Sequence, residues 1–170
     1  MGRGSLSGAL VCLGLLCVAG HAEAKVWRVP GKVATIQAAI AAAKDGDEIR
    51  VSPGAYCGAT IDKRVDLVGI GYPRIIGCST GPTLGALRVG FFMPGPNAKN
   101  PASGTKISGF VFDGRGVSTA NLAPLSFGIL ARFAHDLEIA HNHFDGIDQH
   151  LLRHRRLAFA GSSPDDFGLQ

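Results

Sequence analysis

The string Phe-Asp-Gly occurs at Phe112-Asp113-Gly114 and again at Phe144-Asp145-Gly146, 32 residues on. Ile107 precedes the first copy at the same offset as Ile139 precedes the second. Val65-Asp66-Leu67-Val68-Gly69 is a fainter third copy, with Leu67 in the place of Ile107, 40 residues earlier. Repetition on this scale points to stacked units, none of which can bury its apolar face alone. The unequal spacing is explained by loops at Pro94 to Gly104 and Arg115 to Ser126, inserted into a unit of about 20 to 30 residues. An antiparallel sandwich also uses short strands, but it gives no reason for the repeat. The expected fold is therefore an all-β solenoid.

Local patterning agrees. Val26 to Val29 reads as a strand, and Thr35 opens the one clear helix, expected over about residues 35–45. There Thr35 can cap the free N–H groups, Ile36, Ala39, Ile40 and Ala43 share a face, and Gly46 supplies a stop. After Gly46 the apolar period falls to two, with Ile49 and Val51 alternating with Glu48, Arg50 and Ser52 before Pro53-Gly54 turns the chain. Further short strands are expected at Ala59 to Asp62, Val65 to Ile70, Arg74 to Ile76, Ala86 to Val89, Lys106 to Phe112, Gly128 to Ala131 and Leu137 to Ala140. Phe91-Phe92-Met93 reads as core.

Residues 1–24 stand apart. Arg3, an apolar run from Ala9 to Ala19 and the small pair Ala22 and Ala24 read as a secretory signal cleaved before Lys25. The run is too short for a membrane span, which needs about 20 residues. The expected location is secreted or periplasmic. Cys12 and Cys17 would leave with the leader, and Cys57 and Cys78 would remain as one disulfide or as two buried thiols. The formal charge is +4 with His neutral, and only 18% of residues are charged, which excludes a charged disordered tail or a long coiled coil. The basic residues form no stripe and alternate with no aromatics, so nucleic acid is not expected. Acidic polymers are compatible partners.

From Ala34 to Tyr56 the chain runs Ala-Thr-Ile-Gln-Ala-Ala-Ile-Ala-Ala-Ala and then Lys44-Asp45-Gly46-Asp47-Glu48-Ile49-Arg50-Val51-Ser52-Pro53-Gly54-Ala55-Tyr56. This resembles the N-terminal segment of right-handed parallel β-helix proteins of the pectin lyase-like superfamily, and the resemblance extends over about Val26 to Ile147. It implies that the helix caps the first coil, that the Ile-x-Val strand starts the solenoid, and that Asn142 fills an inward corner of an Asn ladder. The domain would span residues 25–148. The tail, residues 149–170, lacks the period of two and the corner residues. Two readings stay open: a helical end cap over Gln149 to Phe159, or a chain truncated or out of frame after about Asp148.

Secreted β-helices that act on polysaccharide use acidic groups on one strand face, together with a cation or Arg. Asp113 and Asp145 are the best candidates here, with Asp148 as a third. In adjacent coils the first two would stack about one strand spacing apart, so that one keeps a proton or Ca²⁺ sits between them. The plain alternative is that Asp-Gly is a turn dipeptide. Arg88, Lys106 and Arg132, with Lys63, Arg64 and Arg74, would line a groove for acidic sugars, or be scattered solvated charge. His141 and His143 form H-x-H, which in a strand sets both rings on one face, suited to Zn²⁺ or Cu²⁺ if His135 or His150 joined them. Gly69-Ile70-Gly71 lacks the context of a dinucleotide site. The catalytic strings of polygalacturonases and pectin methylesterases do not occur. The expected function is thus an exported scaffold that contacts polysaccharide without a complete catalytic centre. The alternatives are an N-terminal fragment of a polysaccharide lyase, hydrolase or pectin esterase, and a periplasmic metal-handling protein.

Overall fold

The computed structural model describes residues 23–97, 99–115 and 124–147. Most of the expected leader, the interior of the second inserted loop and everything from Asp148 on, including His150 and the Gln149 to Phe159 helix, lie outside these residues. In chain order the elements are β1 (Val26–Val29), α1 (Ile36–Ala42), β2 (Glu48–Val51), β3 (Ala55–Cys57), β4 (Ala59–Thr60), β5 (Asp66–Gly69), β6 (Arg74–Ile76), β7 (Thr83–Leu84), β8 (Leu87–Pro94), β9 (Lys106–Ser108), β10 (Val111–Asp113), β11 (Phe127–Arg132), β12 (Glu138–Ala140) and β13 (His143–Asp145).

The strands form three sheets. The first is ordered β1-β2-β5-β9-β12, the second β3-β6-β10-β13 and the third β4-β8-β11, and every pairing within them is parallel. From β2 onward the chain visits first, second and third sheet in turn and then returns to the first. The single antiparallel pairing among the described residues, β7 with β8, is a side hairpin.

Strict register turns the sequence repeat into columns of side chains. Trp27, Ile49, Leu67, Ile107 and Ile139 are successive partners in the first sheet. Tyr56, Ile75, Phe112 and Phe144 are partners in the second, and Ala59, Phe91 and Ile129 in the third. The middle members of these columns are fully buried and form one core. Each large side chain so buried contributes about 1.5–3 kcal/mol. Phe91 meets Phe110 and Phe112 edge to face at 5.2 and 5.3 Å, the arrangement that ring quadrupoles favour.

At some corners glycine is required. Lys106 to Phe112 is two strands, not the single strand expected, because Gly109 takes φ 79° and turns the chain against the backbone of Gly69. A side chain there would collide with the neighbouring corner. Asn142 occupies the next corner, its Oδ1 accepting from Phe110 N at 3.0 Å and its Nδ2 donating to Ile107 O at 2.9 Å. It thereby satisfies two backbone groups that the turn leaves unpaired.

Helix α1 packs on β1, β2 and β4, at the end of the stack opposite β11, β12 and β13. Thr35 Oγ1 accepts from Ala38 N, and Ile36, Ala39 and Ile40 are buried. The helix stops before Gly46: Ala43 already has extended backbone, and Lys63 Nζ donates to Ala43 O at 3.1 Å. Gly46 instead, at φ 87°, forms the turn that presents Asp47. That carboxylate is 6% exposed and receives Lys25 N, Trp27 Nε1 and Lys44 N at 2.9, 3.0 and 2.9 Å. Burial pushes its pKa up, but the donors together outweigh burial and hold it below the usual range. Cys57, on β3, and Cys78, two residues beyond its partner strand β6, are joined by a disulfide with Cα atoms 5.3 Å apart. Among the described residues no helix is long and apolar enough to cross a membrane.

Candidate functional site

The outward face of the second sheet gathers the most chemistry. Tyr56, Ile75, Phe112 and Phe144 point to the core side, so the alternation of a strand sends Arg74, Val111 and His143, and the row of Ile76, Asp113 and Asp145, to the other. Asp113 and Asp145 are direct partners on β10 and β13. Like charges so placed need compensation, and two arginines supply it. Arg74 Nη2 pairs with Asp113 Oδ2, and Arg115 Nη2 pairs with Asp145 Oδ2. Arg115 Nε also lies 4.0 Å from Asp113 Oδ1, and its backbone N donates to the same oxygen at 2.8 Å. The result is an alternating series of Arg74, Asp113, Arg115 and Asp145 running up the stack.

Asp113 is buried, while both guanidinium groups are more than half exposed. The Arg74 guanidinium, aided by the backbone N–H and charge of Arg115, holds the Asp113 carboxyl below the usual carboxylate range against the effect of burial. A carboxyl so held stays ionised, which suits it to orienting arginines and not to donating a proton. Arginines fixed from behind by carboxylates present their remaining N–H groups outward as a rigid fork. Beside them Tyr72 is half exposed, with its ring centroid 5.2 Å from that of His143 and tilted by 59°. Its φ of 57° is a left-handed conformation that a bulky residue occupies only under constraint.

The other expected site residues are placed apart. Arg88, on β8, donates to Cys78 O at 3.0 Å and so clamps a loop. Lys106, on β9 in the first sheet, pairs with Glu138 at 2.9 Å, and that bond raises its pKa. Arg132 ends β11 in the third sheet, and its carbonyl accepts from the buried Asn100 at 2.7 Å. These three do not line one groove. Nor does H-x-H act as a strand pair: His141 sits at a corner with φ 55°, before β13 begins, which breaks the alternation that would set both rings on one face. His135 lies elsewhere, with Nδ1 2.6 Å from its neighbour Asp136. Among the described residues no group of three or more His, Cys, Asp or Glu converges as a metal site would require. Asp148 lies outside the described residues.

Sequence reasoning missed Arg115 and Tyr72 and gave Arg74 no partner. Arg115 lies two residues beyond Asp113, past the end of β10, so no strand period pointed to it. No family model matches the chain, and neither a curated protein nor a solved structure matches it.

Proposed function

We propose that the chain is an exported right-handed parallel β-helix scaffold that contacts acidic polysaccharide through the outward face of the second sheet. Three parallel sheets visited in cyclic order support the helix, and parallel crossovers are right-handed in the great majority of proteins. The observation that carries the binding reading is the Arg74, Asp113, Arg115, Asp145 series beside Tyr72. Repeating carboxylates of a uronate polymer match outward guanidinium groups, whose planar N–H forks bind carboxylate in bidentate fashion. An exposed tyrosine adds an amphipathic ring against which a sugar ring can lie.

The test is retention on immobilised polygalacturonate compared with a neutral glucan, for the parent protein and for Tyr72→Asn. Asn tolerates the left-handed backbone, so the variant keeps its fold by circular dichroism. It is expected to bind about tenfold more weakly, as loss of about 1.4 kcal/mol implies. Equal retention of both proteins, or none, removes the reading. Release of unsaturated uronate in the presence of Ca²⁺, lost on Asp113→Asn or Asp145→Asn, replaces it with a lyase. Stoichiometric Cu²⁺ or Zn²⁺ retention, abolished by His141→Ala, replaces it with metal handling.

A further inference from the structure

Lys25 N, 2.9 Å from Asp47 Oδ1, is the backbone atom that the expected leader cleavage would set free. Its position does not depend on the residues before it: Glu48 N donates to Lys25 O at 2.9 Å, and the next residue, Val26, is in register with Glu48. Asp47 is equally fixed, with its other oxygen taken by Trp27 Nε1 and Lys44 N. Oδ1 is thus left to Lys25 N. Glu23 and Ala24 are exposed, belong to no helix or strand, and border a cavity of about 450 Å³ together with Lys44, Asp45, Asp47 and Arg64.

We infer that hydrolysis of the Ala24–Lys25 bond turns this backbone N–H into an α-ammonium group ion-paired with the buried Asp47 carboxylate, so that removal of the leader locks the first strand in place. The inference rests on the export reading. In the step, the C–N bond breaks and water adds OH to the Ala24 carbonyl carbon and H to the Lys25 nitrogen. The amine then takes one more proton from solvent, and the catalyst is a peptidase that accepts small-x-small sites. A hydrogen bond in which only the acceptor is charged becomes an ion pair in which donor and acceptor both are. No rearrangement is needed, because the nitrogen already stands at bonding distance, and the ammonium's further N–H groups open onto the cavity. Among the surrounding charges, Lys44 and Arg64 oppose the new cation and Asp45 favours it, while Lys25 Nζ is held away over the Trp27 ring, 3.8 Å from its centroid.

The experiment has two parts. The N-terminus of the exported protein is sequenced; then the chain starting at Lys25 is compared in urea with one starting at Ala24, each released from a removable fusion partner. The longer chain keeps an amide donor on Asp47 but moves the ammonium about 3.5 Å along the chain. The expected result is a first residue of Lys25 and a folding equilibrium constant about tenfold larger for the Lys25 chain at pH 7, or about 1.4 kcal/mol. A carboxylate partner raises the folded-state pKa of the amine, so the gap is fully present below about pH 8, the unfolded value, and is lost as pH rises through the folded value. Asp47→Asn should abolish the gap; if that variant does not fold, the pH course alone decides. A first residue other than Lys25 overturns the inference together with the processing reading. A first residue of Lys25 with equal stability of the two chains at every pH overturns the ion pair and leaves export standing.

Discussion

Asp113 shows how a residue that reads as a catalytic acid in the sequence becomes a fixed anion in the fold. Replacing it with Asn leaves Arg74 and Arg115 facing a neutral amide. Because Arg74 is 57% exposed, water takes over part of the lost interaction, and the expected cost is about 1–2 kcal/mol. The depressed folded-state pKa gives the sign of the pH dependence: the contribution is fully present above the unfolded carboxyl value, about 3.9, and is lost as pH falls through the lower folded value. Urea midpoints of parent and Asp113→Asn should therefore differ at pH 7 and draw together as pH falls below about 3.9. A gap that stays constant as pH falls would place the loss in packing and not in charge. The motif was legible in the chain because Phe112 and Phe144 repeat it, but its first partner was not. Arg74 and Asp113 are 39 residues apart, and only the register of β6 with β10 joins them.

Close stacking of the coils depends on the absence of side chains as much as on hydrogen bonds. At Gly90 in β8, an added Cβ would stand 2.3 Å from Gly128 O and 2.8 Å from the Phe112 ring. Backbone on one side and a core aromatic on the other leave no room to yield. Gly90→Ala is expected to cost about 3 kcal/mol, at the upper end for overpacking, and to lower Tm; an unchanged Tm would mean that the sheets stand further apart than described. Elements with a clear period were legible: β1 and β6 have the bounds expected, and Leu67, Ile107 and Ile139 share one column as the repeat implied. Boundaries set by stacking were not. The strand expected at Ala86 to Val89 runs instead from Leu87 to Pro94, taking in Phe91 and Met93, because β4 and β11 pair along it. No strand was expected at Ala55–Cys57, directly after the Pro53-Gly54 turn, and pairing with β6 makes β3 one.

Among the described residues, the parallel strand pairings run between successive circuits of the chain, and the disulfide is the one covalent tie. It closes a separation of 21 residues, which in the chain-entropy account stabilises by about 3 kcal/mol. Cys57→Ser with Cys78→Ser should lose about that much, read from denaturant midpoints, and reduction of the parent should match it. At one end α1 and the Asp47 network close the stack, whereas at the other Phe144 and Ile139 are 53% and 46% exposed although their partners Phe112 and Ile107 are buried. In an array whose units contact only their neighbours, local opening free energy falls toward the less covered end. Amide hydrogen exchange should therefore proceed as a front, with β12 and β13 exchanging first, β9 and β10 next, and β2 and β5 only on global unfolding. The fold would then be a ladder of graded protection, frayed at one end and latched at the other.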